Sequence, residues 1–327
     1  MSKNLRILLD GYIDGNFGDD LMLYLAADGL KEHKLYITSP KLDIAEYTEE
    51  KSGFDCYLKV TGSGFLIHNN KGIAYRMRDM YREKRYSKNR AVINCNISGF
   101  INRVAEKVIQ KQISDYDFVT VRDRYSYEYI TKNIPNVKCE KYPDMVLSLS
   151  DGMIPNVHSE NALGISVHNS ADINLLAEIA DRFINETGRN VCLLCFNTGL
   201  EDDVSVANQV YGIMKNKHMT EIIRYTDIND MLKNIKRCGA ILGIRFHSAM
   251  LALRMGVPVV PIAYSDKTKN ALDEIGYSGK IYDVNNIDTD EVLKSILNAV
   301  PHKLDGNIIK SAENHIKRFD EYIKRQC

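Results

Sequence analysis

Hydrophobic residues in this chain fall into short runs separated by longer stretches with helical spacing of apolar positions. In the first half, the apolar runs have the length of buried strands, and the stretches between them are amphipathic. The predicted strands are residues 5–11, 34–38, 56–62, 91–97 and 118–122, and the predicted helices are 19–32, 74–86, 101–113 and 124–132. Strands that alternate with helices favour a parallel sheet wound by right-handed crossovers.

A polar stretch at residues 148–162 interrupts the alternation and has the composition of a linker. The pattern then restarts. The predicted strands are 163–168, 191–196, 221–226, 240–246 and 257–264, and the predicted helices are 172–186, 202–215, 227–237, 247–255, 268–275, 289–299 and 307–325. The sequence therefore predicts an α/β protein with two doubly wound domains, residues 1–155 and 156–306. Ligands of such sheets bind beyond the carboxyl ends of the strands, so we expect a site in a cleft between the domains.

Composition narrows the class of protein. The chain has 327 residues, with 43 lysines and arginines against 43 aspartates and glutamates, so its charge gives no reason to expect a nucleic-acid partner. Seven scattered cysteines favour a reducing compartment, and Cys192 and Cys195 lie in an apolar run that suits a buried strand better than a metal knuckle. Without a cleavage-site pattern or a long apolar span, the expected location is cytoplasmic.

The first candidate motif is DGYIDGNFGDDLM, residues 10–22, where a strand leads through a loop into a helix. Asn16 suits a tight turn, and the carboxylates of Asp14, Asp19 and Asp20 suit a hydroxyl-rich ligand better than a phosphate. A capped turn at the helix start explains the same residues equally well.

Three weaker motifs lie in the first half of the chain. Gly62, Ser63 and Gly64 would let a ligand or another backbone come close, or they form a tight turn. Arg122 ends a predicted strand, where its guanidinium could hold an anion or pair with a nearby acid. Asp144 could place a carboxylate at the domain junction or open a turn.

The richest motif is GIRFHSAMLALRMGVPVVPIAYSDK, residues 243–267. Arg245 and His247 lie where a buried strand gives way to a helix, and Lys267 follows the next strand. Three cationic or cationisable groups near helix N-termini predict a site for a phosphate or carboxylate. Ser248 and Tyr264 are candidate substrate contacts beside them.

These pieces resemble the polysaccharide pyruvyl transferase family. The matching segments, in family order, are GNFGDD, TGSGF, VTVRDRYSYEYI, YPDMVLSL, LGISVH and the 243–267 motif. Two positions depart from the family pattern: Ser63 replaces the middle glycine of a glycine cluster, and Asp20 fills a place commonly taken by glutamate.

The resemblance implies two Rossmann-like domains arranged as in GT-B glycosyltransferases, with a C-terminal helix, residues 307–327, packing back on the first domain. It implies transfer of a pyruvyl group from phosphoenolpyruvate to a sugar in an oligo- or polysaccharide, forming a ketal and releasing phosphate, without a cofactor or a metal. His247, Arg122 and Lys267 map onto the family's active-site positions. Arg245 would add a cation, and His247 is the natural general acid or base. The first domain, through the acids at positions 14, 19 and 20, would face the acceptor.

Other functions stay open on the sequence. A GT-B glycosyltransferase with a nucleotide-sugar donor would also bind its ligand near such a helix start. A non-catalytic sugar-binding protein is less favoured, because Arg122, His247 and Lys267 are all present. An acyl transferase built on Cys192 and Cys195 lacks a paired base.

The sequence does not identify the acceptor, which the resemblance implies is an oligo- or polysaccharide or its lipid-linked precursor. Residues 71–90 are basic with interleaved tyrosines, so they suit an anionic acceptor, peripheral contact with a membrane, or a solvated amphipathic helix. The sequence also leaves a homo-oligomer open.

Overall fold

The chain folds into two compact units, each built from more than one segment. The computed structural model describes residues 4–67, 69–97 and 99–326. Unit 1 contains the described residues of Met1–Ile13, Asp19–Ser148 and Ile309–Cys327, and unit 2 contains Asp14–Gly18 and Leu149–Ile308. The division falls after Ser148 instead of at residue 155, and a short loop from the first motif belongs to unit 2 instead of the first domain.

The strands alternate with helices along the described chain. The strands are β1 (Arg6–Asp10), β2 (Lys34–Ile37), β3 (Glu46–Tyr47), β4 (Cys56–Val60), β5 (Asn89–Cys95), β6 (Phe118–Val121), β7 (Cys139–Lys141), β8 (Ala162–Ser166), β9 (Val191–Cys195), β10 (Thr220–Arg224), β11 (Cys238–Gly243), β12 (Val259–Ala263) and β13 (Tyr282–Asp283). The helices are α1 (Phe17–Gly29), α2 (Asn70–Tyr86), α3 (Arg103–Ser114), α4 (Arg124–Asn133), α5 (Ile173–Thr187), α6 (Asp203–Ile213), α7 (Ile228–Arg237), α8 (Phe246–Arg254), α9 (Asp266–Glu274), α10 (Thr289–Leu297), α11 (Gly306–Ala312) and α12 (Asn314–Gln326).

Each unit has one parallel sheet with the doubly wound strand order. In unit 1 the order is β3-β2-β1-β4-β5-β6-β7, and in unit 2 it is β10-β9-β8-β11-β12-β13. The chain reverses its direction of winding between β1 and β4, and again between β8 and β11. Crevices at these reversal points are where doubly wound sheets bind ligands. The predicted α/β class with two parallel sheets is confirmed.

The prediction missed the short elements and some helix ends. The edge strands β3, β7 and β13 have two or three residues, too few to show a period. Helix α2 begins at Asn70 instead of residue 74, because the Asn69 side chain accepts a hydrogen bond from the Gly72 amide at 2.9 Å and caps the extra turn. The predicted helix 307–325 is two helices that meet at Glu313.

Apolar burial explains why each unit holds together. The central strands β4, β8, β9 and β12 are buried at every position, as parallel strands covered on both faces should be. Helix α12 belongs to unit 1, where Phe319 is fully buried and Tyr322 stacks on Phe118 at 5.1 Å. Within residues 4–67, 69–97 and 99–326, none of the helices has the length and apolar character needed to cross a membrane.

Candidate functional site

The reversal point of the unit 2 sheet is built on a pair of buried serines. Ser166, the last residue of β8, accepts hydrogen bonds at its Oγ from the amides of Ile244 (2.8 Å) and Arg245 (3.1 Å). Ser248 lies 2.7 Å from the same oxygen and donates to the Arg245 carbonyl at 2.6 Å. Both serines are fully buried. Ser248, predicted to contact substrate, forms hydrogen bonds that hold the β11–α8 turn in shape.

Arg245 is held by two carboxylates from the start of α6 and the turn before it. Its Nε donates to Asp203 Oδ2 at 3.0 Å, its Nη2 bonds the other oxygen of Asp203, and its Nη1 bonds Glu201. Burial raises the pKa of the Asp203 carboxyl, and the hydrogen bonds from Arg245 oppose that shift. Two carboxylates already compensate the charge of Arg245. The arginine expected to bind an anion is therefore better suited to anchoring the turn that carries His247.

The loop Asp14–Gly18 forms part of the surroundings of His247 within unit 2. Asn16 forms an antiparallel bridge with Asn197, and the Phe17 amide donates to the Phe196 carbonyl at 2.9 Å. A Cβ atom on Gly18 would lie 1.7 Å from His247 Nδ1, so only glycine allows the backbone to pack against the imidazole. This packing is why the loop folds with unit 2 and not with the domain to which the sequence assigned it.

The residues of this loop have structural partners of their own. Asn16 Oδ1 accepts from the Gly18 amide at 3.0 Å. Asn16 therefore forms the tight turn that its sequence position suggested. Asp19 and Asp20 lie in the first turn of α1, where their negative charge interacts favourably with the positive end of the helix dipole. These two acids belong to unit 1, and Asp14 belongs to unit 2. The three acids do not act as one cluster within a single unit.

His168 is a candidate that the prediction missed. It follows β8 by two residues, is 7% exposed, and stacks on Tyr264 with ring centroids 4.5 Å apart. Burial, followed by the charge of Arg245, lowers the pKa of His168 to about 4. Its Nδ1 accepts from the Ser170 amide at 3.1 Å, so the neutral ring carries its proton on Nε2. Among the described residues no hydrogen bond joins that Nε2. The strand-exit position of His168 in LGISVH was the signal available in the sequence.

Lys267 lies close to its predicted position. It is the second residue of α9, whose first turn directly follows the exit of β12, and its side chain is partly exposed. His247 is likewise the second residue of α8, after the neighbouring strand β11. Tyr264, 38% exposed, leaves the end of β12. The carboxyl edge of one sheet therefore carries His168, His247, Tyr264 and Lys267.

In unit 1 the predicted residues gather around Arg122. This arginine directly follows β6, is 5% exposed, and donates to Asp144 Oδ2 at 2.6 Å and to Asn96 Oδ1 at 3.4 Å. A Cβ on Gly62 would come within 2.9 Å of Arg122 Nη1, which explains a glycine at that position. Ser63 is exposed and donates to Asn96 at 3.4 Å, while Gly64 packs against Thr61. The glycine cluster and the arginine of separate sequence motifs thus form one local structure.

The cysteine alternative loses its chemical basis. Cys192 and Cys195 are both fully buried in β9. A contact with Cys238, followed by burial, raises the pKa of the Cys192 thiol, and burial raises the pKa of Cys195 to about 12. Thiols that stay protonated are poor nucleophiles, so the predicted buried strand cysteines are confirmed.

Known structures that resemble this chain share its fold at low sequence identity. The UDP-GlcNAc 2-epimerase of Methanocaldococcus jannaschii matches 97% of this chain and 99% of its own with a TM-score of 0.62 and 12% identity. A putative UDP-N-acetylglucosamine 2-epimerase from Listeria monocytogenes matches 99% and 95%, with a TM-score of 0.60 and 10% identity. The UDP-GlcNAc 2-epimerase of Neisseria meningitidis bound to UDP-GlcNAc matches 96% and 93%, with a TM-score of 0.56 and 11% identity. These likenesses establish the GT-B fold class and nothing further.

The sequence itself gives a more specific result. No curated protein matches this chain. The sequence profile of the family described as polysaccharide pyruvyl transferase matches residues 16–266, which begins inside the loop that packs on His247 and ends one residue before Lys267. Because that match covers most of the chain, the protein belongs to the polysaccharide pyruvyl transferase family.

Proposed function

We propose that this protein transfers a pyruvyl group from phosphoenolpyruvate to two hydroxyls of a saccharide, forming a ketal and releasing phosphate. The observation that carries the proposal is the pair His247 and Lys267, each the second residue of a helix that follows one of two neighbouring strands. Two helix N-termini and two cationisable groups at one sheet edge suit a ligand with both a phosphate and a carboxylate. Family membership supplies the class of reaction.

The reaction needs one proton delivered to carbon and two protons removed from hydroxyls. Protonation of the methylene carbon of phosphoenolpyruvate makes C2 electrophilic, and the first sugar hydroxyl bonds to C2 with loss of its proton. The second hydroxyl then bonds to C2 and gives up its proton, the bond from C2 to the phosphate oxygen breaks, and the phosphate leaves with that second proton. We assign the proton donor role to His247, because imidazole exchanges protons near neutral pH. Lys267 would stabilise the charge of the leaving phosphate.

Some of the surrounding residues would contact the substrate, and others would hold the contacting residues in position. His168, neutral and protonated on Nε2, would donate a hydrogen bond to an anionic oxygen without adding charge. Arg245 is a positioning residue that acts through the β11–α8 turn. Arg122 keeps its proposed catalytic role on the strength of the family motif, and Asp19 and Asp20 remain proposed acceptor-binding groups or bases.

The test is an assay with phosphoenolpyruvate and a panel of pyranosides, in which phosphate release and the mass of the ketal product are measured together. We expect His247→Ala and Lys267→Ala to abolish both signals. The matched controls are His218→Ala and Lys215→Ala, which change the same residue types at exposed positions of unit 2 and should retain turnover.

A nucleotide-sugar glycosyltransferase is the alternative that this assay separates. It rests on fold likeness alone, whereas the family match favours pyruvyl transfer. No turnover and no thermal shift with phosphoenolpyruvate, together with a clear shift with uridine diphosphate, would overturn the proposal.

A further inference from the structure

Helix α2 is held in a fixed rotation by a buried polar network on its inner face. Glu83, 3% exposed, accepts from Lys59 Nζ at 2.7 Å and from the Tyr116 hydroxyl at 2.9 Å. The charge of Lys59 and these hydrogen bonds outweigh burial and lower the pKa of the Glu83 carboxyl. One turn later, Tyr86 stacks on Tyr57 at 5.8 Å. These contacts turn Glu83 and Tyr86 toward the sheet, so the opposite side of α2 must face solvent.

That outward side combines large apolar groups with positive charge. Tyr75 and Met77 are each 58% exposed and Tyr81 is 67% exposed, which is unusual for groups of this size. Six basic and two acidic residues occupy α2, and one of the two acids is the inward Glu83. We define the basic–aromatic face by six exposed residues: Lys71, Tyr75, Met77, Arg78, Tyr81 and Arg85. The guanidinium of Arg78 lies 5.4 Å from the Tyr75 ring, so charge and aromatic surface are adjacent.

Helix α3 extends this face. The two helices are joined near their N-termini by Asn102 and Asn70 at 3.3 Å and farther along by Gln112 and Glu83 at 3.3 Å, so they run side by side in the same direction. Helix α3 has three basic residues and one acidic residue. At its start, Val104 is 58% exposed and the preceding Ile101 is 44% exposed.

We propose that the basic–aromatic face docks on an anionic membrane surface. The formal charge of the whole chain is zero, so this concentration of positive charge is local and complements a layer of anionic headgroups. Tyrosines are well suited to the headgroup depth, where the ring is partly desolvated and the hydroxyl stays wet. A soluble polyanion would use the arginines but would gain less from exposed Met77, Tyr81 and Val104. The inference does not depend on the proposed reaction.

The test is co-sedimentation of the full chain with vesicles of phosphatidylcholine containing about one third phosphatidylglycerol, at low and high salt. We expect binding to these vesicles, weak binding to pure phosphatidylcholine, and loss at high salt. Arg78→Glu with Arg85→Glu should weaken binding at least about tenfold. Tyr75→Ser with Tyr81→Ser should weaken it about threefold or more while leaving the salt dependence in place.

The control is Lys215→Glu with Lys233→Glu, an equal charge change at exposed positions of unit 2, which should bind as the unmodified chain does. Thermal unfolding checks that every variant is folded. We expect all of them to fold, because all altered side chains are exposed. Absence of vesicle binding would overturn the proposal. So would equal loss in the control, or tyrosine variants that bind normally while heparin competes fully, because that pattern describes a general polyanion patch.

Discussion

Arg122 in unit 1 and Arg245 in unit 2 both leave the carboxyl end of a buried strand, yet they have different charge balances. Arg122 pairs with Asp144, whereas Arg245 pairs with both Asp203 and Glu201. Two carboxylates from the start of α6 and the turn before it therefore compensate the charge of Arg245. This contrast supports the different roles that we propose for the two arginines, a contact with an anionic ligand for Arg122 and the anchoring of a turn for Arg245.

A buried neutral histidine accompanies each arginine, and again the two differ. His315 of α12 is fully buried, with Nδ1 2.6 Å from the Thr120 hydroxyl and Nε2 2.9 Å from the Pro143 carbonyl. Both ring nitrogens of His315 thus have hydrogen-bond partners within unit 1. His168 uses Nδ1 for the Ser170 amide and lies against the partly exposed Tyr264. Burial keeps both rings neutral, but His168 borders a partly exposed aromatic ring, which fits the ligand contact that we propose for it.

Removing one acid from each cluster should produce the largest effect on stability. Asp144→Asn takes from Arg122 the carboxylate described here, and we expect a loss of about 3–5 kcal/mol in the free energy of unfolding. Asp203→Asn leaves Glu201 beside Arg245, so we expect a smaller loss of about 1–3 kcal/mol. Urea unfolding of both variants checks the order. A larger loss in the free energy of unfolding for Asp203→Asn than for Asp144→Asn would contradict this difference between the two clusters.

Conservative changes of the two arginines should separate catalysis from anchoring. Lysine keeps the charge but cannot hold two oxygens in a plane, so Arg122→Lys should lower kcat/KM for phosphoenolpyruvate by about a hundredfold. Arg245→Lys should reduce the unfolding midpoint more than it reduces turnover. Steady-state kinetics and thermal melts of both variants provide the measurement. A stable Arg245→Lys protein with the larger catalytic defect would show that Arg245 touches substrate.

The two histidines should make the protein less stable in mild acid. The pKa of His315 is lowered to about 4 by burial, and in the unfolded chain a histidine titrates near pH 6.5. As pH falls between these values the unfolded chain binds a proton that the native ring does not, so stability decreases. From about pH 7 to about pH 5 we expect His315 to account for a loss of about 2 kcal/mol. Urea unfolding of His315→Gln should show a shallower pH dependence, and an unchanged slope would contradict this origin.

Alanine substitutions at Gly18 and Gly62 compare how tightly the backbone packs against His247 and against Arg122. Gly18→Ala would place a methyl group 1.7 Å from the His247 ring, and the resulting shift should cost about 1–3 kcal/mol and reduce turnover. Gly62→Ala meets the guanidinium of Arg122 at 2.9 Å, a smaller overlap than at Gly18, and should cost less, about 1 kcal/mol. Gly212→Ala is the control, because nothing lies within 4 Å of its Cβ and alanine favours the helix. Similar stability of the Gly18 and Gly62 variants would argue against tight packing at His247.

The sequence predicted the fold well because buried parallel strands such as β8 and β12 are unbroken apolar runs with turn residues at each end. The strand-exit positions of Arg122, His247 and Lys267 followed from the same pattern. The contacts of those side chains could not be predicted from this pattern. Glu201 and Asp203 precede Arg245 by some forty residues, and nothing in their local sequence indicates that they will bind it.

The loop Asp14–Gly18 shows a second limit. Its glycine and asparagine predicted a turn, and a turn formed, but the turn packs on Asn197 and His247 instead of on its sequence neighbours. His168 illustrates a different omission, because its place two residues beyond a strand was visible. Its importance becomes clear only once β8 and β11 are known to be adjacent.

The interleaved composition of the two units has a consequence for biosynthesis. Unit 2 needs the five-residue loop Asp14–Gly18, which the ribosome delivers well before Leu149, and unit 1 needs α12, which emerges after the whole of unit 2. Unit 2 therefore has all of its segments once Ile308 has emerged, whereas unit 1 cannot complete its folding until α12 has been made, unlike the first domain in a chain of sequential domains. A nascent chain that has not yet released α12 still exposes the part of β5 and β6 that this helix will cover, so we expect chaperone protection to matter most in that interval.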